Sequence, residues 1–224
     1  DSKHDQLVMV LTRANIRAEH FLSDLHAQCN GNAGKPNHSC ATGLIRAYLA
    51  AEGAIGATLL GKGGDNLTIG TSAIRNEEPV RFQTGQLAGF SSVGPDSDHS
   101  YFVSVAYKQA GLHLSITFPP AVHEPVFNPP PAELGLSGET FLADSQGHFV
   151  TKPRYVSTQG HKHPISAHPM ESCLSGQSGE VLDLDYRDVP IIHGFRFIPE
   201  LGSACIMAHI SQDEAFAPLK SLTQ

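Results

Sequence analysis

The closing stretch Gly179 to Leu222, GEVLDLDYRDVPIIHGFRFIPELGSACIMAHISQDEAFAPLKSL, admits few folds. Turn-forming residues at Tyr186 to Pro190 and at Pro199 to Gly202 set off Ile191 to Ile198 from Ala204 to Ile210, two runs rich in β-branched and aromatic residues. Such runs predict an antiparallel meander. At Ser211 the period changes. Ser211-Gln212-Asp213-Glu214 fits a capping box, in which the serine side chain accepts the amide three residues on and the glutamate reaches back to the serine amide. Asp213 and Glu214 also suit the positive end of a helix dipole. The pattern therefore predicts a sheet that hands over directly to a helix.

The opposite end reads as a long helix. From Asp5 to Gln28 the apolar residues Leu7, Leu11, Ala14, Ala18, Phe21 and Leu25 recur at helical spacing, a heptad-like seam. Val8, Val10, Ile16 and Leu22 add apolar surface beyond that stripe, so the helix can pack on its own domain and also pair with a second copy. Ala41 to Glu52 is helical again, with Leu44, Ile45, Tyr48 and Leu49 on one face, until Gly53 breaks it. Ala57 to Leu60 and Leu67 to Thr71 predict a hairpin about the turn at Gly61 to Asn66.

Alternation is clearest where Tyr101, Val103, Val105 and Tyr107 share one strand face and Leu112, Leu114, Ile116 and Phe118 share another. Six prolines between Pro119 and Pro131 then exclude helix or central strand, so that segment reads as the join between two modules. Beyond it, Glu139 to Ala143 and His148 to Thr151 predict a hairpin about Asp144 to Gly147. The polar stretch Tyr155 to Glu171 is expected to leave little room for helix because of Pro164 and Pro169.

Composition excludes some functions. A net charge of −7 with no basic run argues against nucleic acid or an anionic membrane surface as partner. No apolar run approaches the roughly 20 residues of a membrane helix. The four cysteines permit three pairings, of which Cys29 with Cys40 and Cys173 with Cys205 is the expected one, and buried free thiols are the alternative. Two disulfides would place the chain in an oxidising compartment such as the periplasm.

Catalytic motifs are missing: the sequence contains no GxSxG elbow, HExxH, Walker loop or dinucleotide fingerprint. Asp183 and Asp185 fall on one strand face and would suit acid-base work, but acids at a strand end ordinarily cap turns. Among the 13 histidines, His161, His163 and His168 crowd one loop. They are weak metal candidates without a local acid or thiol to complete a cage, and a pH-responsive role is a further possibility. No cofactor is implied.

The run DYRDVPIIHGFRFIPELG, followed by a strand and DEAFAP, resembles the end of the membrane-proximal module of double Cache domains, the extracytoplasmic sensor regions of bacterial histidine kinases, diguanylate cyclases and chemoreceptors. Leu134 to Tyr155, LGLSGETFLADSQGHFVTKPRY, resembles the opening hairpin of the same module. The resemblance implies an α+β fold with a long N-terminal helix and two PAS-like antiparallel sheets. Its modules would be a helical stalk (1–54), a distal module (55–130), a proximal module (131–211) and an outgoing helix (212–224). It also implies a small-molecule ligand held in the distal module, on the sheet face with Tyr101, Val103, Val105 and Tyr107 or on the opposite one with Phe102, Ser104, His113 and Ser115, and the residues Arg75 and Arg81 could fork onto a ligand carboxylate. Arg154, Tyr155, Asp185, Tyr186 and Arg196 would line a second, proximal cavity. The distal segment lacks the Tyr, Arg, Trp, Tyr, Asp series of the amino-acid-binding subgroup, and the chain has no tryptophan. The expected function is extracytoplasmic sensing by a non-enzymatic domain, homodimeric through its first helix, in a parent that spans the membrane. A periplasmic metal-dependent or hydrolytic enzyme, or a ligand-free dimerisation module, are the competing expectations.

Overall fold

A computed structural model describes residues 2–29, 37–61, 64–70, 86–90, 101–107, 111–119, 124–127, 134–151, 153–155, 164–185 and 187–220, with backbone alone at 2, 90, 101–107, 124, 125 and 220. Two compact units divide the chain, one of residues 5–122 and one of residues 1–4 with 123–224.

Helix α1 spans Ser2–Cys29 and α2 spans His38–Glu52. The heptad-like spacing of α1 is a burial pattern: Leu7, Leu11, Ala18, Leu22 and Leu25 are buried, whereas Met9 and Ile16 remain exposed. Phe21 stacks on Tyr48 with ring centroids 4.1 Å apart, and Asn15 Nδ2 donates to the Leu87 carbonyl at 2.6 Å. Asn37 caps α2 by accepting the Cys40 amide, and Gly53 closes it at φ 67°, a left-handed conformation natural to glycine. Cys29 and Cys40 are disulfide-bonded.

The N-terminal sheet is antiparallel, in the order β2-β1-β5-β4-β3, where β1 is Gly56–Leu60, β2 Asn66–Gly70, β3 Gly89–Phe90, β4 Tyr101–Tyr107 and β5 Leu112–Phe118. Its register puts Ala57, Leu59, Leu114 and Ile116 on one face. Thr58 lies opposite Ser115 and Thr68, and Ser115 in turn lies opposite position 104, on the other face.

A short helix α3, Glu124–Phe127, opens the second unit inside the segment whose prolines were expected to exclude helix, because Pro125 falls in its first turn, where no amide is needed. Its sheet runs β6-β9-β8-β7, with β6 Glu139–Ala143, β7 Gly179–Leu184, β8 Pro190–Ile198 and β9 Ala204–Ser211. The expected meander is present, and its second turn contains a 3-10 turn at Pro199–Leu201. The expected hairpin after β6 reduces to one bridge between Ala143 and Phe149.

The prolines near residue 169 do not exclude a helix, contrary to expectation. Helix α4, His168–Leu174, begins there because Pro169 sits in its first turn, where a missing N–H costs nothing. It packs on β8 and β9. Cys173 of α4 is bonded to Cys205 of β9, inside a core of Phe141, Ala143, Phe149, Met170 and Met207.

The capping box at the last helix, α5 (Gln212–Lys220), forms in one half only. Ser211 Oγ accepts the Glu214 amide at 3.2 Å as expected. Glu214, however, does not reach back to Ser211. Its carboxylate accepts the amides of Leu136 and Ser137, each at 2.7 Å, together with the Ser137 hydroxyl, and Ser137 Oγ takes over the Ser211 amide. The Ser137 hydroxyl, then the two amides, hold the Glu214 carboxyl below its ordinary value. Gly135 makes this possible: at φ 78°, a Cβ there would lie 2.4 Å from Glu214 Oε1.

Two outcomes test these connections. Glu214→Ala is expected to speed hydrogen exchange at the Leu136 and Ser137 amides, and unchanged exchange would show that the carboxylate is not what holds the helix. Replacing Cys173 and Cys205 together by alanine is expected to lower the unfolding free energy by about 2–4 kcal/mol in urea titration.

Candidate functional site

The C-terminal sheet presents one face to α4 and to the loop before it. Along that face the register aligns Glu139 with His209, and His209 with His193, in three neighbouring strands. These polar residues sit where alternation would place apolar ones, and all three are buried: Glu139 is 2% exposed, His193 5% and His209 5%.

Glu139 is stabilised by its partners. Its Oε1 accepts the backbone amides of Arg154 and Tyr155, and its Oε2 lies 3.0 Å from His209 Nε2. His193 meets His209 edge to face with ring centroids 5.6 Å apart, while its own Nε2 is buried with no hydrogen-bond partner among the described residues. Burial, then the neighbouring His209, push the His193 imidazole down from its ordinary 6.5 to about 4, so it is neutral at physiological pH. Asp183, Asp185 and Glu139 pull the other way without prevailing.

A cavity of about 630 Å³ opens along this face. Its walls include Phe141, Phe149, Ile165, Ala167 and Leu184, with His168, Asp183, Asp185, Asp188, His193 and His209 supplying the polar groups. Asp185 follows the last residue of β7 and organises the turn to β8: its Oδ1 accepts the amides of Arg187 and Val189, and its Oδ2 takes Arg187 Nε at 2.7 Å and Nη2 at 2.5 Å. Burial pushes the Asp185 carboxyl up, but the Val189 amide and Arg187 outweigh it and hold the group below its ordinary value. Arg187 in turn lies over the Tyr155 ring at 3.9 Å, with Arg154 on the same ring at 5.3 Å, and the Tyr155 hydroxyl donates to the Leu136 carbonyl.

The residues expected around a proximal cavity therefore separate. Arg154, Tyr155 and Asp185 belong to one cluster joined through Arg187, which sequence reasoning did not single out. Arg196 lies on the other side of the sheet, in a cavity of about 600 Å³ with Thr140, Glu180, Gly194 and Ala208, since its position alternates with those of Phe195 and Phe197. Tyr186 lies outside the described residues. Asp183 accepts the Leu184 amide, the capping role expected of it, yet also lines the first cavity. His168 lines that cavity too, whereas His161 and His163 lie outside the described residues. Among the described residues no group of three or more His, Cys, Asp or Glu is arranged to hold a metal. The missed residues were Glu139, His193 and His209, and histidines inside the apolar runs IIHGF and MAHI were the available signal.

In the N-terminal sheet the face bearing Thr58, Ser115 and Thr117 is polar and yet buried, these three being 3%, 1% and 1% exposed. Thr58 Oγ1 and Thr68 Oγ1 are 3.3 Å apart. His113 lies at the end of the same row, half-buried, and burial lowers its basicity. Of the expected distal ligand residues, Ser115 and His113 thus share one face. The backbone register places position 104 beside them and positions 101, 103 and 107 on the apolar face. Arg75 and Arg81 lie outside the described residues.

No protein-family model and no curated protein sequence matches the chain. Its fold does match solved structures. The extracellular domain rpHK1S-Z16, assigned to a histidine kinase, shares 12% identity at a TM-score of 0.60, over 96% of this chain and 92% of that one. The ligand-binding domain of the Pseudomonas aeruginosa amino-acid chemoreceptor PctB, in complex with L-Gln, shares 14% identity at a TM-score of 0.59, over 99% and 96%. That of the Campylobacter jejuni chemoreceptor Tlp3, with L-valine, shares 11% at 0.57, over 95% and 89%. The α+β architecture implied by the closing segment is the fold of these sensor domains.

The depressed basicity of His193 has a sign that can be checked. Between pH 6.5 and about 4 the unfolded chain binds a proton that the folded imidazole refuses, so its contribution to stability is full above 6.5 and is lost as pH falls through that window. Urea midpoints measured across this range are expected to fall with pH less steeply in His193→Gln, and an unchanged slope would contradict the assignment.

Proposed function

We propose that this chain is the extracytoplasmic ligand-sensing part of a bacterial signal-transduction receptor. The observation that carries the reading is the fold, which matches sensor domains of histidine kinases and chemoreceptors over nearly the whole of both chains. Two disulfides support an oxidising compartment. The N-terminal sheet adds a face of buried hydroxyls, Thr58, Ser115 and Thr117, with the half-buried His113 at its end, and a few placed polar groups of this kind are what orients a small ligand.

On this reading a small molecule lies on the hydroxyl-bearing face of the N-terminal sheet. Binding biases the position of α5, whose start is tied to residues 136 and 137 by Glu214, and so passes the signal towards a membrane span in the parent. The exposed Met9 and Ile16 of α1 fit a homodimer formed through that helix.

A thermal-shift screen of carboxylates, amines, amino acids and purines tests the proposal. At 100 times its dissociation constant a ligand would add about 2.7 kcal/mol of stability. Ser115→Ala is expected to weaken the best compound about tenfold, the loss of roughly one hydrogen bond. A screen in which no compound stabilises the protein would contradict the sensor reading.

A further inference from the structure

We propose that the cavity on the α4 face of the C-terminal sheet is a second ligand site, and that it takes a small organic amine with an apolar body and no carboxylate. It is separate from the hydroxyl-bearing face of the N-terminal sheet, and nothing in the sensor reading requires it.

The unpartnered nitrogen is the first observation. His193 lines a cavity of about 630 Å³, within the usual range for small-molecule sites, and its Nε2 is buried without a hydrogen-bond partner among the described residues. A buried polar atom without a partner is costly, and a ligand that satisfies it recovers that cost. A neutral imidazole offers one ring nitrogen as an acceptor, which suits an ammonium N–H.

Charge supplies the second. Asp183, Asp185 and Asp188 line the cavity, and no Lys or Arg does so among the described residues. Asp185 is already engaged by Arg187 and two amides. Asp183 is less committed: one of its oxygens accepts the Leu184 amide, and a carboxylate has about four acceptor positions. A ligand carboxylate would meet only like charge here, whereas an ammonium would meet Asp183 and His193 together. This sets the site apart from one that holds an amino acid by both its termini.

The walls define the rest of the ligand. Phe141 and Phe149 have centroids 4.9 Å apart at an interplanar angle of 59°, a tilted pair that offers an apolar surface and aromatic faces for a cation.

Calorimetry on the intact chain would use 2-phenylethylamine as probe, with 2-phenylethanol, phenylacetate and nickel chloride as controls. The amine is expected to bind at least about tenfold more tightly than the alcohol, with phenylacetate silent, since hydrogen bonds to charged groups are the stronger kind. Asp183→Asn, a change at a half-buried edge position, is expected to weaken the amine about tenfold with the circular dichroism spectrum unchanged. His193→Gln is expected to weaken it as well. The inference is overturned if amine and alcohol bind alike, if both variants bind as the parent does, or if nickel alone saturates the site and displaces the amine. Any of these results beside a stabilising compound that depends on Ser115 would leave the sensor reading intact. A chain stabilised by nothing in the wider screen would instead remove that reading.

Discussion

Glu139 places a carboxylate almost completely out of water at the start of β6, and a buried charge is tolerated only if it is paired and hydrogen-bonded. Two consecutive amides, at Arg154 and Tyr155, meet one oxygen, and His209 meets the other. The chain after β6 must therefore return beside that strand, which brings Tyr155 under Arg187 and fixes the turn that Asp185 organises. His209 lies between Glu139 and His193, and burial, then His209, keep His193 neutral although Asp183, Asp185 and Glu139 pull the other way.

Both sheets bury polar residues, on a face opposite the apolar one in the N-terminal sheet and on the same face as the apolar core in the C-terminal sheet. Hydroxyls dominate in the N-terminal sheet, where Thr58, Ser115 and Thr117 offer donors and acceptors without charge. Imidazoles and carboxylates dominate in the C-terminal sheet. Helix α5 is joined to the second unit by a carboxylate rather than by apolar packing alone, so its start is sensitive to small movements of residues 135–137.

The fold was legible in the sequence because strand alternation and turn residues are local signals. Ile191 to Ile198, Ala204 to Ile210 and the pair around residues 101–118 form strands as expected, and the serine cap of α5 is present. What was not legible depended on register. Only the pairing of β6 with β9 and of β9 with β8 reveals that Glu139, His209 and His193 form one row, since these residues are far apart in sequence. Arg196 was expected beside Asp185 and lies across the sheet for the same reason: one residue of phase sends a side chain to the opposite face. Glu214 was read through its near neighbour Ser211, but its stronger partners were the distant amides of residues 136 and 137. Pro169 looked like a break and proved to be a helix start.

The most direct measurement is an amide NMR titration of the intact chain with the compound that stabilises it most. The account predicts that shifts concentrate at Thr58, Ser115 and Thr117 in the N-terminal sheet, with a smaller response at Leu136 and Ser137 where Glu214 holds α5. A stabilising compound whose shifts appear at neither sheet face, with the α5 junction unmoved, would contradict it.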